Sequence, residues 1–569
     1  MTSVLNSILQ KIKHPVTLTD EQIGRLAFIF VLFLFIFEAY VVRVDYATPF
    51  AYLFDAESGF FFGLTVASLL ISFWIFFQFV VFAISASWRY KVICFAIFFL
   101  SVFAEYGYQN ALGRFSEKFD IESALATNAE QKLASVAMYL NYAAIIPCLV
   151  LLAMMVYLRT EKRRGMRSFV LVNALLIVSF ISFSLLSPEK FPTLSTNAFY
   201  RTNIEFLLYG PVASGKWASE LTGIKVVRRQ IPKPALPENY RPQNNVIVVV
   251  DESVMGSHLS LNGYHRSTTP FLDQLSSERK LRNWGIAAAA STGSRFTYNT
   301  LITGLAPDDF PDATEYKVNT FPTIFQYAKA MNYTTYFFDG QMNGFWGGIG
   351  DDRNSIDHWL GVREVSDGVG FEYWDLDGLI AKKVNKLISS STGNFIFVFK
   401  HGSHYPYQTN FPPNQEVWQP SFADGTKFNI PPPDKLPEVV NAYDNSLRYS
   451  IESFFKNLVD DYSNIPNNSV IIYTGDHGQT MFAGGRASHG GQSKEEANVP
   501  LFIIGKLNSE VDTAYKASHF NIYPTILDLI DYPMELRERK SIPSLLKARS
   551  TDSRPRFFNP AYGNKIPFD

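Results

Sequence analysis

Long apolar runs are concentrated in the first third of the 569-residue chain. The stretch from Arg25 to Val42 reads RLAFIFVLFLFIFEAYVV and holds one acid. A helix of about 18 residues nearly crosses a hydrocarbon core of about 30 Å. Because several such runs are hard to bury as core helices, we expect residues 1–190 to form a bundle of five transmembrane helices. The predicted spans are about 25–43, 59–86, 90–105, 135–158 and 167–187.

Basic residues between these runs predict the orientation. Segments 11–14, 89–91 and 159–167 are rich in Lys and Arg, and they fall on alternate connections. They therefore share one side, which the positive-inside rule makes the cytoplasm. An odd number of spans then places the rest of the chain outside. The first run is long and lacks a clear small-residue cleavage site, so we expect no cleaved signal peptide.

A change of pattern follows the last apolar run. Residues 191–243 are rich in proline and polar residues, which predicts a juxtamembrane linker. From residue 244 onward, short apolar runs such as NNVIVVV and NFIFVFK alternate with stretches of helical periodicity. Fully apolar strands separated by helices are typical of an α/β/α domain with a mainly parallel sheet, which we expect to span 244–569.

Metal-ligating residue types lie at the ends of the predicted strands. The first strand runs into Asp251-Glu252, a later one into residues 400–404, and another into Asp476-His477. Ligands of open α/β sheets bind beyond the carboxyl ends of the strands, so these residues are expected to meet. Two carboxylates and an imidazole suit Zn²⁺, and Mn²⁺ is possible.

Segment 287–304, AAAASTGSRFTYNTLITG, places small and hydroxyl residues just before a helical stretch. Backbone N–H groups and the helix dipole favour a phosphate or sulfate at such a helix start. A hydroxyl is a poor nucleophile until a base or a metal ion deprotonates it. The segment therefore predicts a nucleophile beside the metal-type residues.

Composition narrows the function classes. The 51 Lys and Arg residues nearly balance the 52 Asp and Glu residues, which gives no basis for a nucleic-acid surface. Both cysteines, Cys94 and Cys148, lie inside apolar runs. The outer half therefore has neither a disulfide framework nor a zinc–thiolate site.

Six segments of the chain form a recognisable set. They are IVVVDESVMGSHLSLNGYHRSTTPFL at 247–272, STGSRFTYNTLITG at 291–304, HGSHYP at 401–406, NAYDNSLRYS at 441–450, YTGDHGQ at 473–479 and SHGGQ at 488–492. Together they resemble a known family, the membrane-anchored phosphoethanolamine transferases of the bacterial envelope, within the sulfatase-like alkaline phosphatase superfamily. The resemblance covers nearly the whole chain, and the order of the segments matches.

The resemblance assigns the site residues. It implies that Glu252, Asp476 and His477 bind the metal. His404 and His489 match the family's histidines beside the phosphate, where they would stabilise it, protonate the leaving group or hold a second metal.

The resemblance also points to the nucleophile. The family places it nine residues before a small hydroxyl residue that closes the same helix. Thr303 occupies the closing position, which makes Ser294 the nucleophile and a further metal ligand, although the family usually has threonine. Thr292 is the alternative. Arg295 would clamp phosphate oxygens, and Asn262, in the N-G-Y-x-R-x-T-x-P run, is expected to contact substrate.

Two features depart from the family. The outer half has no cysteine after Cys148, whereas well-known lipid A-modifying members carry several disulfides there. Residues 339–343 read DGQMN where an aspartate–asparagine pair contacting the head group is expected. Recognition of donor and acceptor is therefore left open.

The implied activity is transfer of phosphoethanolamine from phosphatidylethanolamine to an envelope acceptor, namely lipid A, lipopolysaccharide core or a glycan, through a phosphorylated Ser294. The implied location is the bacterial inner membrane, with several spans and a periplasmic catalytic domain. Three alternatives stay open. They are phosphoglycerol transfer from phosphatidylglycerol, a membrane-anchored sulfatase or phosphodiesterase with Ser291 oxidised to formylglycine, and a non-catalytic envelope scaffold.

Overall fold

The chain forms two compact units, Met1–Ile224 and Lys225–Asp569, in a computed structural model. The division falls inside the predicted linker 191–243. The structure describes residues 15–42, 59–112, 141–160, 198–200, 202–203, 228–309, 318, 320–341, 353–423, 431–459, 468–483, 489–507, 510–538, 541–560 and 565–569.

The N-terminal unit consists mainly of apolar helices. Among the described residues, Asp20–Val42 and Trp88–Asn110 are long and apolar enough to cross a membrane, and Ser72–Ser85 and Tyr142–Tyr157 are shorter apolar helices. The predicted span 167–187 and the first residues of 135–158 lie outside the described residues, so the five-helix bundle stays a prediction. The helices are α1 (Asp20–Phe37, extended by a π-helical turn at Glu38–Val42), α2 (Gly59–Ser85), α3 (Trp88–Leu112) and α4 (Ile145–Tyr157).

Three helix ends meet at one end of this unit. Strand β1 (Val16–Leu18), just before α1, pairs in parallel with β2 (Leu158–Thr160), just after α4. Lys91, in the first turn of α3, donates from Nζ to the Met155 carbonyl and, at 3.3 Å, to the Leu158 carbonyl. The start of α1, the start of α3 and the end of α4 therefore lie together.

The C-terminal unit is built on a seven-stranded sheet in the order β4-β9-β8-β3-β7-β5-β6. Neighbours from β8 to β6 pair in parallel, whereas β9 pairs antiparallel with both β8 and β4. The predicted α/β architecture is confirmed, and the sheet, which we expected to be mainly parallel, is mixed because of the antiparallel pairing of β9. The strands are β3 (Asn245–Asp251), β4 (Leu281–Ala288), β5 (Thr334–Asp339), β6 (His358–Leu360), β7 (Asn394–Phe399), β8 (Ser469–Gly475) and β9 (Asn498–Gly505). A short antiparallel pair, β10 (Phe557–Phe558) and β11 (Ile566–Pro567), lies apart from it.

Helices cover both faces of this sheet. Every residue of β3, β7 and β8 is buried, because alternate side chains pack into two separate hydrophobic clusters. One cluster includes α6, α7 and α10, and the other includes α5, α8 and α9. The helices are α5 (Pro270–Ser277), α6 (Ser294–Thr303), α7 (Ile324–Ala330), α8 (Leu376–Ser390), α9 (Leu436–Val459) and α10 (Ile522–Leu529).

The last part of the predicted linker packs on the C-terminal unit. The Arg228 guanidinium donates to the Phe321 carbonyl at 2.5 Å, and the Arg229 N–H donates to the Thr320 carbonyl at 2.9 Å. The Tyr532 hydroxyl donates to the Pro232 carbonyl at 2.5 Å. Residues 228–243 are therefore part of this unit rather than a free connection.

Candidate active site

Two adjacent parallel strands bring the predicted metal ligands together. In the register of β3 and β8, Asp251 lies opposite Gly475, so Glu252 and Asp476 leave the sheet side by side. The Nε2 atom of His477 lies 3.5 Å from Glu252 Oε1 and 3.5 Å from Asp476 Oδ2. All three side chains are buried, and one ligand atom from each lies within 4.8 Å of the others. We call Glu252, Asp476 and His477 the upper cluster.

The donor atoms of the upper cluster suit a divalent cation. His477 Nδ1 donates to the Gly478 carbonyl at 2.9 Å, which leaves Nε2 of the neutral ring as an acceptor. That Nε2 atom is buried and has no hydrogen-bond partner. Tetrahedral zinc with ligand bonds of about 2.1 Å places its ligands about 3.4 Å apart, close to the separations seen here. The residues present therefore fit Zn²⁺, and Mn²⁺ accepts the same donors.

A glycine allows this loop to turn into the site. A Cβ atom on Gly478 would lie 2.1 Å from the Glu495 carbonyl oxygen and 2.7 Å from that of Asn498. Only a residue without a side chain allows so close a backbone approach. The D-H-G sequence thus combines two predicted ligands with a glycine that allows their loop to pack closely against the backbone of Glu495 and Asn498.

Burial makes the upper cluster costly without a counter-charge. Burial raises the pKa of Glu252, and burial together with the nearby Glu252 carboxylate raises the pKa of Asp476 to about 7. The Tyr298 hydroxyl lies 3.4 Å from an oxygen of each carboxylate. No lysine or arginine in the described part of the chain forms an ion pair with either acid. A bound cation would supply the missing positive charge.

The hydroxyl-rich loop brings one of three hydroxyls to this cluster. Ser294 is the first residue of α6, and its hydroxyl donates to the Asp476 carboxylate. The buried Thr292 hydroxyl donates instead to the Gly491 carbonyl at 2.9 Å. Buried Ser291 accepts from the Gly293 N–H at 3.3 Å. The geometry supports Ser294 over Thr292 as the nucleophile.

The two further histidines line up beside the upper cluster. The His489 ring stacks on His477, with centroids 4.3 Å apart, and His404 lies 6.2 Å beyond His489. Burial, with His477 and His404 close by, holds the pKa of His489 well below its usual range. Exposed His404 donates from Nδ1 to the Tyr405 carbonyl at 2.7 Å, which leaves its Nε2 as an acceptor.

The predicted substrate contacts have different surroundings. Arg295 is buried in the first turn of α6, next to Ser294. Asn262 donates to the Gly256 carbonyl at 2.8 Å and accepts from Asn283 at 2.9 Å. These contacts brace the loop after β3 and give no support to a role for Asn262 in substrate binding.

Gln341, within the departing segment 339–343, contacts the site. Its Nε2 donates to the Lys400 carbonyl at 2.6 Å and to Glu252 Oε2 at 3.3 Å. Residues 342 and 343 lie outside the described residues. The amide therefore borders the upper cluster, where sequence reasoning saw only the lack of an expected pair.

Two of the resembling segments meet each other at Asp444. His258 Nδ1 donates to Asp444 Oδ1 at 2.8 Å, and Tyr264 and Arg266 donate to Oδ2 at 2.9 and 2.8 Å. Since these donors come from 247–272 and Asp444 from 441–450, the two segments form one brace. The sequence did not predict these contacts, because nothing in either segment indicates that it packs against the other.

The neighbouring residue connects that brace to Glu252. The Tyr443 hydroxyl donates to the Ser253 carbonyl at 2.7 Å and accepts from the Met255 N–H at 2.8 Å. These backbone groups lie one and three residues after Glu252 in the chain. Helix α9 thus fixes the backbone that follows this predicted ligand.

A second buried charge cluster lies next to the first, and sequence reasoning missed it. Lys400 Nζ donates to Asp251 and to Ser450 Oγ at 3.0 Å, and it lies 3.6 Å from Asp377 Oδ2. Asp377 also accepts from the His401 and Gly402 N–H groups at 2.7 and 3.1 Å. We call Asp251, Asp377 and Lys400 the lower cluster. The sequence feature that could have indicated this cluster is Lys400, a lysine directly after the apolar strand β7.

Comparison with known proteins agrees with this architecture. Kdo(2)-lipid A phosphoethanolamine 7''-transferase of Escherichia coli K12 is 21% identical over 325 residues, which are 52% of this chain and 54% of that protein. Phosphatidylethanolamine transferase Mcr-2 of Escherichia coli is 23% identical over 301 residues, 50% of this chain and 53% of that protein. The chain spans about half the length of these curated relatives.

A solved structure and a family model extend the comparison. The integral membrane lipooligosaccharide phosphoethanolamine transferase A of Neisseria meningitidis aligns with a TM-score of 0.57 at 16% identity, covering 88% of this chain and 95% of that one, which indicates a shared fold. The sulfatase family model matches residues 244–532, the segment that holds the sheet and both charge clusters. The chain therefore belongs to the sulfatase family.

Proposed function

We propose that this chain transfers phosphoethanolamine from phosphatidylethanolamine to a hydroxyl or phosphate oxygen of an envelope acceptor, such as lipid A, lipopolysaccharide core or a glycan. The observation that carries the proposal is the Ser294 hydroxyl at a helix start, hydrogen-bonded to Asp476 in a buried cluster suited to a divalent cation. The names of the relatives, which are phosphoethanolamine transferases, support the choice of transferred group.

The reaction consists of two displacements at phosphorus. Ser294 Oγ forms a bond to phosphorus as its proton leaves, and the bond from phosphorus to the glycerol oxygen breaks to release diacylglycerol. An acceptor oxygen then attacks the same phosphorus, and the bond to Ser294 breaks. A zinc ion held by Glu252, Asp476 and His477 would supply a Lewis acid that favours the serine alkoxide and offsets charge on the phosphoryl oxygens.

The start of α6 adds an anion site made of backbone. The first N–H groups of a helix have no partner within it, and the helix dipole is positive there. Ser294 and Arg295 are the first two residues of α6, so a phosphoryl group bonded to Ser294 would lie against these N–H groups. Arg295 would add a positive charge beside them.

The histidine pair is suited to proton transfer. Because the pKa of His489 is low, its ring is neutral near pH 7 and can accept the proton of an incoming acceptor hydroxyl. His404 is exposed, and its Nδ1 donates to the Tyr405 carbonyl. It is placed to exchange a proton with the departing glycerol oxygen or with solvent.

The apolar N-terminal unit fits this choice of donor. An enzyme anchored in the bilayer need not extract phosphatidylethanolamine fully from it. We propose the bacterial inner membrane as the location, with the C-terminal unit in the periplasm, and this is in keeping with the integral membrane relative.

Labelled lipids test the proposal directly. The full-length protein, reconstituted with zinc, is incubated separately with phosphatidylethanolamine and phosphatidylglycerol labelled in the acyl chain. We expect diacylglycerol release from phosphatidylethanolamine and a phosphoethanolamine adduct on the peptide containing Ser294. Release from phosphatidylglycerol alone would instead identify a phosphoglycerol transferase.

Matched variants identify the nucleophile. Ser294→Ala should release no diacylglycerol and form no adduct, whereas Thr292→Ala should retain both. An adduct that persists in Ser294→Ala contradicts the assignment of Ser294. An aldehyde at Ser291 in the wild-type peptide would identify a sulfatase.

A further inference from the structure

His519 lies between the two segments that carry the nucleophile and the metal-type residues. It is fully buried and opens the turn His519–Asn521 just before α10. Its Nδ1 atom lies 3.1 Å from the Ala290 backbone nitrogen, and its Nε2 atom lies 2.9 Å from Thr474 Oγ1. One imidazole therefore contacts both the loop before Ser294 and the end of β8.

The hydrogen-bond partners fix the tautomer of this ring. A backbone N–H can only donate, so Nδ1 accepts from Ala290 and the ring proton is on Nε2. The Nε2–H group then donates to Thr474 Oγ1, and the Thr474 hydroxyl has two carbonyl acceptors, Pro500 at 2.8 Å and Gly475 at 3.2 Å. Every donor in this series has an acceptor.

The ring keeps this state over the working range of pH. Burial lowers the pKa of His519 to about 3, so the imidazole is neutral in any ordinary buffer. A protonated ring would lose its acceptor at Nδ1 and leave the buried Ala290 N–H without a partner. His519 is thus a permanent two-sided link rather than a proton donor.

The two residues that His519 contacts lie close in sequence to the proposed reacting groups. Ala290 is four residues before Ser294, and Thr474 is two residues before Asp476. On the nucleophile loop, the contact to His519 lies nearer to Ser294 than the backbone contacts from the Ala288 N–H to Ala517 at 3.2 Å and from the Ala289 N–H to Ala497 at 2.8 Å. Thr292 lies nearer still, and its carbonyl and hydroxyl contact Gly490 and Gly491 at 3.0 and 2.9 Å. The imidazole of His519 differs from these contacts because it also reaches the end of β8.

We propose that His519 is a positioning residue that sets the separation between the Ser294 hydroxyl and the upper cluster. Its Nδ1 side holds the nucleophile loop, and its Nε2 side holds the end of β8. The consequence for catalysis rests on the proposed function, whereas the consequence for metal affinity does not.

Two substitutions separate the two sides of the ring. In His519→Asn, the side-chain oxygen can take the place of Nδ1 and accept from Ala290, while the contact to Thr474 is lost. In His519→Gln, the longer amide can take the place of Nε2 and donate to Thr474, while the contact to Ala290 is lost. Each variant keeps one half of the link.

The two variants should have opposite signatures. His519→Gln should lower kcat with phosphatidylethanolamine by about ten- to a hundredfold, since small displacements of a nucleophile are costly, with KM and zinc affinity nearly unchanged. His519→Asn should weaken zinc binding by about tenfold, as expected for loss of a group that orients a metal ligand. At saturating zinc its kcat should lie closer to wild type than that of His519→Gln.

A buried polar residue at the opposite edge of the sheet provides the control. Asn245 donates to the Ser391 carbonyl and to Ser469 Oγ, both at 3.1 Å, far along β3 from Glu252. Asn245→Ala should lower thermal stability while leaving kcat and zinc affinity per folded molecule unchanged. This variant measures how far the loss of a buried polar residue away from the site changes kcat and zinc affinity.

The measurements are zinc titrations and steady-state kinetics of the full-length protein in detergent, corrected for the folded fraction. Equal changes in the two His519 variants, or changes no larger than those of Asn245→Ala, would overturn the positioning role. If the wild type releases no diacylglycerol from either lipid, the proposed function fails, and the zinc titrations alone then decide the inference.

Discussion

The upper and lower clusters lie next to each other, yet they balance buried charge in different ways. Asp251 and Glu252 are consecutive residues at the end of β3, and both are buried. Asp251 faces Lys400 and the Tyr473 hydroxyl, which donates at 2.7 Å. Glu252 faces Asp476 and the unpartnered Nε2 of His477.

The difference shows what each cluster is for. Lys400 is a cation supplied by the chain, and it opposes the effect of burial on the pKa of Asp251. In the described structure the upper cluster has no such side chain, although a buried carboxylate needs a counter-charge to remain ionised. The lower cluster therefore contains its own cation, whereas the donor atoms of the upper cluster fit a cation from outside the chain.

Glu252→Gln is the most severe way to break the upper cluster. It removes one of three ligands, so we expect at least about a 10⁴-fold loss of kcat/KM, or about 5 kcal/mol of transition-state stabilisation. Metal-free protein should become more stable above pH 7, because an uncompensated buried carboxylate is gone. Diacylglycerol release and thermal unfolding measure the two effects. A variant that was less stable without metal would contradict the view of this cluster as uncompensated.

Lys400→Met is the corresponding change in the lower cluster. It leaves Asp251 and Asp377 buried without their cation, so we expect a loss of about 3–5 kcal/mol in the free energy of unfolding. Denaturant unfolding of the full-length protein measures this loss. Lys456→Met is the control, because Lys456 is largely exposed and pairs with Glu452 at 3.5 Å, so its loss should cost less than about 0.5 kcal/mol.

Metal removal tests the upper cluster without a substitution. Zinc that binds only the folded state should add about 3 kcal/mol at a free concentration a hundred times Kd. Chelation should therefore lower Tm, and added zinc should restore it. The same titration in Lys400→Met should give a similar increment, since the lower cluster holds no metal. No change of Tm with zinc in the wild type would contradict the proposed metal site.

The pH dependence of this increment follows from the raised pKa values. The pKa of Asp476 is about 7 in the folded metal-free protein and about 4 in an unfolded chain. The folded state thus binds more protons between these values, so metal-free stability falls as pH rises from about 4 to 7. Zinc binding displaces those protons, so the Tm increment should widen over this range. A zinc-induced rise in Tm that became smaller from about pH 4 to about pH 7 would contradict the raised pKa of Asp476.

Much of the upper cluster follows from sequence because of strand geometry. Runs such as SVIIYTG end at the same sheet edge whenever they are parallel, so Glu252, Asp476 and His477 had to lie near one another. Strands β4 and β6 were not predicted. LRNWGIAA in β4 is an edge strand with glycine and polar residues, and its pairing with β9 depends on a distant partner.

The supporting contacts could not be read in the same way. Asp377 comes from the start of α8, Tyr443 from α9 and His519 from the turn before α10, and each contacts residues from remote parts of the chain. Such contacts depend on helix packing, which local patterns do not determine. The same limit applied to Asn262, whose motif was recognised but whose contacts are to Gly256 in its own loop and to Asn283 in β4.

A matched pair of tyrosines gives the smallest and most specific test of the comparison. The Tyr473 hydroxyl donates to Asp251 at 2.7 Å, whereas the Tyr298 hydroxyl lies 3.4 Å from both Glu252 and Asp476. Tyr473→Phe removes a buried hydrogen bond to a charged group and should cost about 1–3 kcal/mol of stability with or without zinc.

Tyr298→Phe should behave differently because its contacts are long and its two acceptors are the proposed metal ligands. With zinc bound, those carboxylate oxygens would have a cation as partner, so the stability loss should stay below about 1 kcal/mol. In metal-free protein the loss should be larger, since the hydroxyl is then one of few donors near the two acids. Thermal unfolding of both variants with zinc and with chelator measures the contrast. Equal dependence on zinc in the two variants would mean that the clusters do not differ in the way their charges are balanced.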